Sequence, residues 1–226
     1  ALGSLFLMMM IVDTMFCWPQ KDDKQFLTPI VASLGFALSP LIIIWSRTAV
    51  SDALLTGTLG ISLLLFWRRM ASQNNDHCIS AWVFLGFAIL TKGPVALVLA
   101  ILTITTFLFS QKDWKTLLYK INPKKGFLIT TFISVPWYVL ELFKEGKPFW
   151  ENFFGYHNFQ RYTSVVNNHA EPFWFFLYIM ILASLPFTPF LFYGIFNTFK
   201  DFLKSLKEGC DITESLYTYS LCWFTS

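Results

Sequence analysis

Of the 226 residues, 55% are hydrophobic and only 14% charged, and the 26 Phe, 9 Trp and 8 Tyr exceed what the interior of a water-soluble domain this size can hide. A soluble catalytic domain is therefore excluded, and a bilayer is the expected solvent. The net charge of +3 is small and the basic residues are scattered, which excludes a nucleic-acid groove.

Seven apolar segments follow one another at about 1–17, 27–45, 53–67, 80–91, 95–109, 126–140 and 173–197. The segments 27–45 and 173–197 reach the roughly 20 residues that cross a hydrocarbon core, and the others need their flanks. The pair 80–91 and 95–109 is separated only by "TKGP", residues 91–94, and reads equally well as a short buried hairpin. This pattern predicts an all-α polytopic membrane bundle of about seven segments. Threading it alternately puts 12 of the 17 basic residues on one side, which the positive-inside rule makes cytoplasmic. Arg47, Lys92, Lys144, Lys147 and Arg161 stay on the outer side. The basic connections at 68–78 and 111–125 read as solvated helix ends. Trp137, Tyr138 and Trp174 fall at span ends as an aromatic belt. Cys17, Cys78, Cys210 and Cys222 have no metal-ligand spacing. The chain starts without Met inside an apolar stretch and ends on "SLYTYSLCWFTS", so the expectation is an internal piece of a larger protein.

Charges at the outer ends of the spans are the candidate functional groups. Arg47 and Asp52 both lie in the turn of "SPLIIIWSRTAVSDALLTG". Asp52 reads either as a helix-end charge, through capping or a pair with Arg47, or as a catalytic or ion-binding carboxylate. Lys92 in "ILTKGPVAL" reads either as a cation for a phosphate beside a fresh helix start or as a lysine snorkelling to the interface.

The outer loop "FWENFFGYHNFQRYTSVVNNHAEPFW" concentrates rings, amides and imidazoles. Its aromatic excess suits lipid or a sugar face. His157, Asn158 and Arg161 supply donors on neighbouring helical turns for a phosphate or a hydroxyl-rich ligand, with Asn168 and His169 downstream. The spacing of His157, His169 and Glu171 matches no recognised metal set.

Four stretches in order, "SRTAVSDALLT", "FAILTKGPVAL", "PWYVLELFKEGKPFW" and "FFGYHNFQRYT...NNHAEPFWFF", resemble the lipid-linked GT-C glycosyltransferases, most closely the aminoarabinose-transferase-like branch related to the dolichyl-phosphate-mannose protein mannosyltransferases. The likeness covers about residues 1–199. It implies a transmembrane glycosyltransferase domain over 1–199 with 141–172 as an external loop, followed by a cytoplasmic basic segment at 200–226. The implied reaction moves a sugar from a polyprenyl-phosphate donor to a lipid, glycan or protein acceptor at the outer face of a bacterial inner membrane. No nucleotide cofactor is implied, and a monomer among membrane lipids is what the resemblance leads one to expect. Asp52 takes a supporting catalytic role next to an optional divalent cation, for which it is also the metal ligand. Arg47, Lys92, Tyr156, His157, Asn158, Arg161, Asn168 and His169 become substrate-binding residues. The family's principal catalytic acid belongs to a loop before this sequence, so the 226 residues by themselves are expected to lack transferase activity. A secondary transporter for an anionic or sugar-like solute, or a non-catalytic membrane scaffold, remains the alternative.

Overall fold

Backbone groups flanked by apolar side chains have only their own chain to bond, so the apolar segments become helices. The computed structural model of the protein describes residues 27–48, 51–71, 78–149, 174–208 and 216–225, with 9, 11 and 13 in addition. Among them there is no strand, as an all-α chain requires. The helices are α1 Leu27–Ala37, α2 Pro40–Arg47, α3 Ser51–Ala71, α4 Cys78–Lys92, α5 Val95–Ser110, α6 Trp114–Ile121, α7 Pro123–Glu145, the single turn α8 Lys147–Phe149, α9 Phe175–Ala183, α10 Thr188–Glu208 and α11 Leu216–Thr225.

The expectation of about seven membrane segments is corrected. Among the described residues one stretch, Trp114–Glu145, is long and apolar enough to cross a bilayer. Counting apolar residues overlooked where the helices break. Segment 27–45 divides at Ser39 and Pro40 into helices of 11 and 8 residues. Gly93, at φ 84°, and Pro94 end α4 at 15 residues and start α5, which has 16. The 173–197 segment is interrupted between Ala183 and Thr188. Helix α3 has 21 residues, yet it carries Asp52, Arg68 and Arg69, and most of its second half is buried by protein. Segment 1–17 lies almost wholly outside the described residues.

The core forms where faces of regular spacing meet. Leu59, Leu63, Phe66 and Met70 of α3 stand opposite Ala81, Leu85 and Ala88 of α4, and Ala96, Ala100 and Phe107 of α5 complete the cluster. The α3 and α4 sets advance by three or four residues, the step of one helix face, and the α5 set by four and then seven, the same face two turns on. The alanines let the backbones approach, and the Ser62 hydroxyl donates across to the Ala81 carbonyl at 2.8 Å.

Helix α7 lies along α4 with small groups inward: Gly126, Thr130 and Ser134 are its buried residues. A Cβ on Gly126 would overlap the Trp82 indole, and one on Gly86 would come within 3.0 Å of Ile133. Trp82 is fixed from three sides. Its Nε1–H donates to the Ile121 carbonyl at 2.9 Å, its ring meets Phe66 edge-on at 4.8 Å, and its own carbonyl accepts from Thr130 at 3.1 Å. The other side of α7 leaves Phe127, Leu128, Phe132, Leu140 and Phe143 exposed, a patch suited to lipid.

Two features were not legible as such. Arg69 is no solvated helix end: it is buried, and its Nε donates to the Lys120 carbonyl at 3.0 Å while the Lys120 ammonium donates to the Met70 carbonyl at 3.0 Å. Helix α11 enters the core. Tyr219 is completely buried, packs edge-on to Phe107 at 5.0 Å, and donates its hydroxyl to the Leu63 carbonyl at 2.8 Å.

Candidate functional site

Asp52 stands in the first turn of α3 and Lys92 in the last turn of α4. Each charge has the sign that its helix end favours, negative at the amino end and positive at the carboxyl end. The packing of α3 on α4 brings the two ends together, and the Lys92 ammonium forms an ion pair with Asp52 Oδ1 across 40 residues of sequence. Both side chains remain partly exposed, Lys92 at 39% and Asp52 at 30%, so the pair is open to a ligand. An ion pair so exposed adds little to stability, on the order of 0–1 kcal/mol.

The surroundings hold Lys92 in place. The Thr91 hydroxyl donates to the Ala88 carbonyl at 2.7 Å, and the Gly93 amide donates to the Ile89 carbonyl at 2.7 Å. The same Ile89 carbonyl accepts the Tyr138 hydroxyl at 2.7 Å. Tyr138 therefore does more than anchor the span: it ties α7 to the final turn of α4, three residues before Lys92. Its neighbour Trp137 stacks edge-on against both Tyr138 and Phe149.

Of the expected site residues, the structure brings Asp52 and Lys92 together. The local alternative of an Arg47–Asp52 pair gives way to the longer-range one. Arg47 ends α2 with an exposed side chain. Tyr156, His157, Asn158, Arg161, Asn168 and His169 lie outside the described residues. Among the described residues no three His, Cys, Asp or Glu side chains gather as metal ligands. The partner of Asp52 is the Lys92 ammonium. A separate apolar cavity of about 320 Å³, lined by Ser39, Leu41, Ile179, Met180, Ala183 and Ser184, shares no residue with the pair.

Residues 27–139, half of the chain, match the family described as dolichyl-phosphate-mannose-protein mannosyltransferase. The chain belongs to this family. The match contains Asp52, Lys92 and Tyr138 and the first two of the four sequence stretches in full, and together with the similar proteins it bears out the resemblance.

Similar proteins agree. An undecaprenyl phosphate-alpha-4-amino-4-deoxy-L-arabinose arabinosyl transferase of Erwinia tasmaniensis is 25% identical over 210 residues, 91% of this chain and 35% of that protein. One of the same description from an Enterobacter species is 29% identical over 147 residues, covering 63% of this chain and 26% of the relative. An uncharacterized protein of Aquifex aeolicus is 31% identical over 181 residues, covering 79% and 37% respectively. The chain thus spans about a third of the length of the curated relatives it matches. No solved structure matches it.

Proposed function

We propose that this chain forms part of a membrane glycosyltransferase that takes a sugar from a polyprenyl-phosphate carrier and passes it to a lipid, glycan or protein acceptor, with the Asp52–Lys92 pair receiving the carrier phosphate. The observation that carries this reading is the pair itself, two opposite charges held at adjoining helix ends, partly open, within the family match.

The chemistry follows from what each group can do. The acceptor oxygen attacks the anomeric carbon, the bond from that carbon to the phosphate oxygen breaks, and the phosphate leaves with the electron pair. The leaving group is already acidic, so it needs charge stabilisation more than a proton. An arriving phosphate competes with Asp52 for the Lys92 ammonium. Once the phosphate takes it, the Asp52 carboxylate is free to help orient the acceptor hydroxyl, while the proton passes to the principal catalytic carboxylate of the full-length protein. Arg47, exposed at the end of α2 and five residues before Asp52, is a second candidate cation, and Tyr138 fixes the carbonyl of the turn that carries Lys92. The site faces the outer side of an inner membrane in this reading, and the loop with Tyr156, His157, Asn158, Arg161, Asn168 and His169 contributes sugar and phosphate contacts. Asp52 is also the first candidate for holding a divalent cation, should the reaction use one.

The test uses the full-length protein reconstituted in lipid with labelled polyprenyl-phosphate sugars and a membrane-lipid acceptor pool. Asp52→Asn and Lys92→Met should each fold and lower transfer by roughly 100-fold or more. Undiminished transfer by Asp52→Asn would reduce Asp52 to a helix-end charge, and absence of transfer with every donor would remove the enzyme reading.

A further inference from the structure

The two ends of the Trp114–Glu145 stretch differ in charge. At one end Lys112, Lys115, Lys124 and Lys125 are all exposed, with Asp113 the single acidic residue between 112 and 125. At the other end Lys144 and Lys147 alternate with Glu141 and Glu145. Among the described residues no carboxylate pairs with any of the four lysines of the first end. Nor do Lys124 and Lys125 serve α7. They stand in its first turn, which contains no acidic residue, and a cation there opposes the helix dipole.

Helix α6 sorts its residues around its axis. Leu117 and Ile121 are buried against the bundle. Trp114 and Leu118 are exposed on the adjoining strip, and Lys115 and Tyr119 on the next. The Lys115 ammonium lies 5.6 Å from the centroid of the Trp114 ring. Water is a poor neighbour for this surface, which leaves Tyr119 86% exposed and is followed in the chain by exposed Phe127 and Leu128 of α7, part of the stretch long and apolar enough to cross a membrane. A headgroup layer accepts rings and ammonium groups together.

We propose that α6 and the first turn of α7 bind the anionic headgroups of membrane phospholipids, with Trp114 and Leu118 at the acyl boundary and Lys112, Lys115, Lys124 and Lys125 on the phosphates. Charge complementarity and continuity with the membrane-crossing helix name this occupant. The proposal rests on the membrane location in the preceding reading and is independent of sugar transfer.

The full-length protein, reconstituted in phosphatidylcholine bilayers with trace spin-labelled phosphatidylglycerol or spin-labelled phosphatidylcholine, gives the relative association of the two lipids with the protein surface. A lysine next to an anionic leaflet is worth about fivefold in association. The wild type should therefore retain phosphatidylglycerol severalfold more strongly, and K112Q/K115Q/K124Q/K125Q should bring the ratio to about one. K144Q/K147Q, which neutralises the other end, should keep the wild-type preference. Equal retention of both lipids by the wild type overturns the proposal, as does a preference that survives the fourfold change or disappears in the control. A protein that does not enter bilayers refutes the membrane reading as well, whereas entry without preference refutes this inference alone.

Discussion

Gly126→Ala tests the closest approach in the bundle. The added methyl would occupy the space of the Trp82 indole, so either the ring or α7 must move. Forcing extra volume into a packed contact costs about 1–3 kcal/mol. Moving the ring also endangers its 2.9 Å bond to the Ile121 carbonyl, worth about 0.5–1.5 kcal/mol, and its edge contact with Phe66, worth a similar amount. Alanine returns about 1 kcal/mol through helix propensity. The expected outcome is a net loss of roughly 1–5 kcal/mol in reversible unfolding of the purified protein in mixed detergent micelles. Gly194→Ala is the control, because a Cβ there meets nothing within 4 Å; it should be neutral or slightly stabilising. In a Trp82→Leu background Gly126→Ala should cost much less than it does in the wild type, since the smaller side chain leaves room for the methyl. If Gly126→Ala stabilised the protein as much as Gly194→Ala, propensity alone would be acting and the tight crossing of α4 and α7 would be refuted.

Two further substitutions test the reach of single hydroxyl groups. Tyr138→Phe retains the ring and loses the bond to Ile89, about 0.5–1.5 kcal/mol; steady-state kinetics should give a severalfold rise in KM for the polyprenyl-phosphate donor, and an unchanged KM would return Tyr138 to simple anchoring. Tyr219→Phe should cost about 1 kcal/mol of stability through the lost bond to Leu63, whereas Tyr219→Ala should cost about 3–5 kcal/mol by emptying the core beside Phe107; equal losses in denaturant titrations of the two variants would contradict the packing of α11.

Helix content and the break at Gly93-Pro94 were legible because they depend on local chemistry. Pro40 carries the same kind of local signal, yet it was passed over inside the 27–45 segment. The inward face of α7 was also open to reading, since Gly126, Thr130, Ser134 and Tyr138 recur every four residues, although Tyr138 was assigned to the aromatic belt. The number of crossings was misread for a physical reason. Hydropathy measures what a side chain avoids and does not say whether lipid or protein covers it, so α3 looked like a span, and α4 and α5 were counted as segments although they read equally well as a short buried hairpin. Asp52 and Lys92 were singled out separately by their apolar settings. Their pairing depends on the packing of α3 against α4, which no local signal carries. Arg69 and Lys120 illustrate the same limit, because each satisfies a carbonyl at the other helix's end.

The position of Tyr219 has a consequence for biosynthesis. Its hydroxyl bonds a carbonyl made 156 residues earlier, and its ring closes the space beside Phe107. At about 5–20 residues per second, translation leaves that space open for roughly 6–22 s after Phe107 has been added. Through this interval α3 and α5 present an unfilled apolar groove until α11 arrives to seal it.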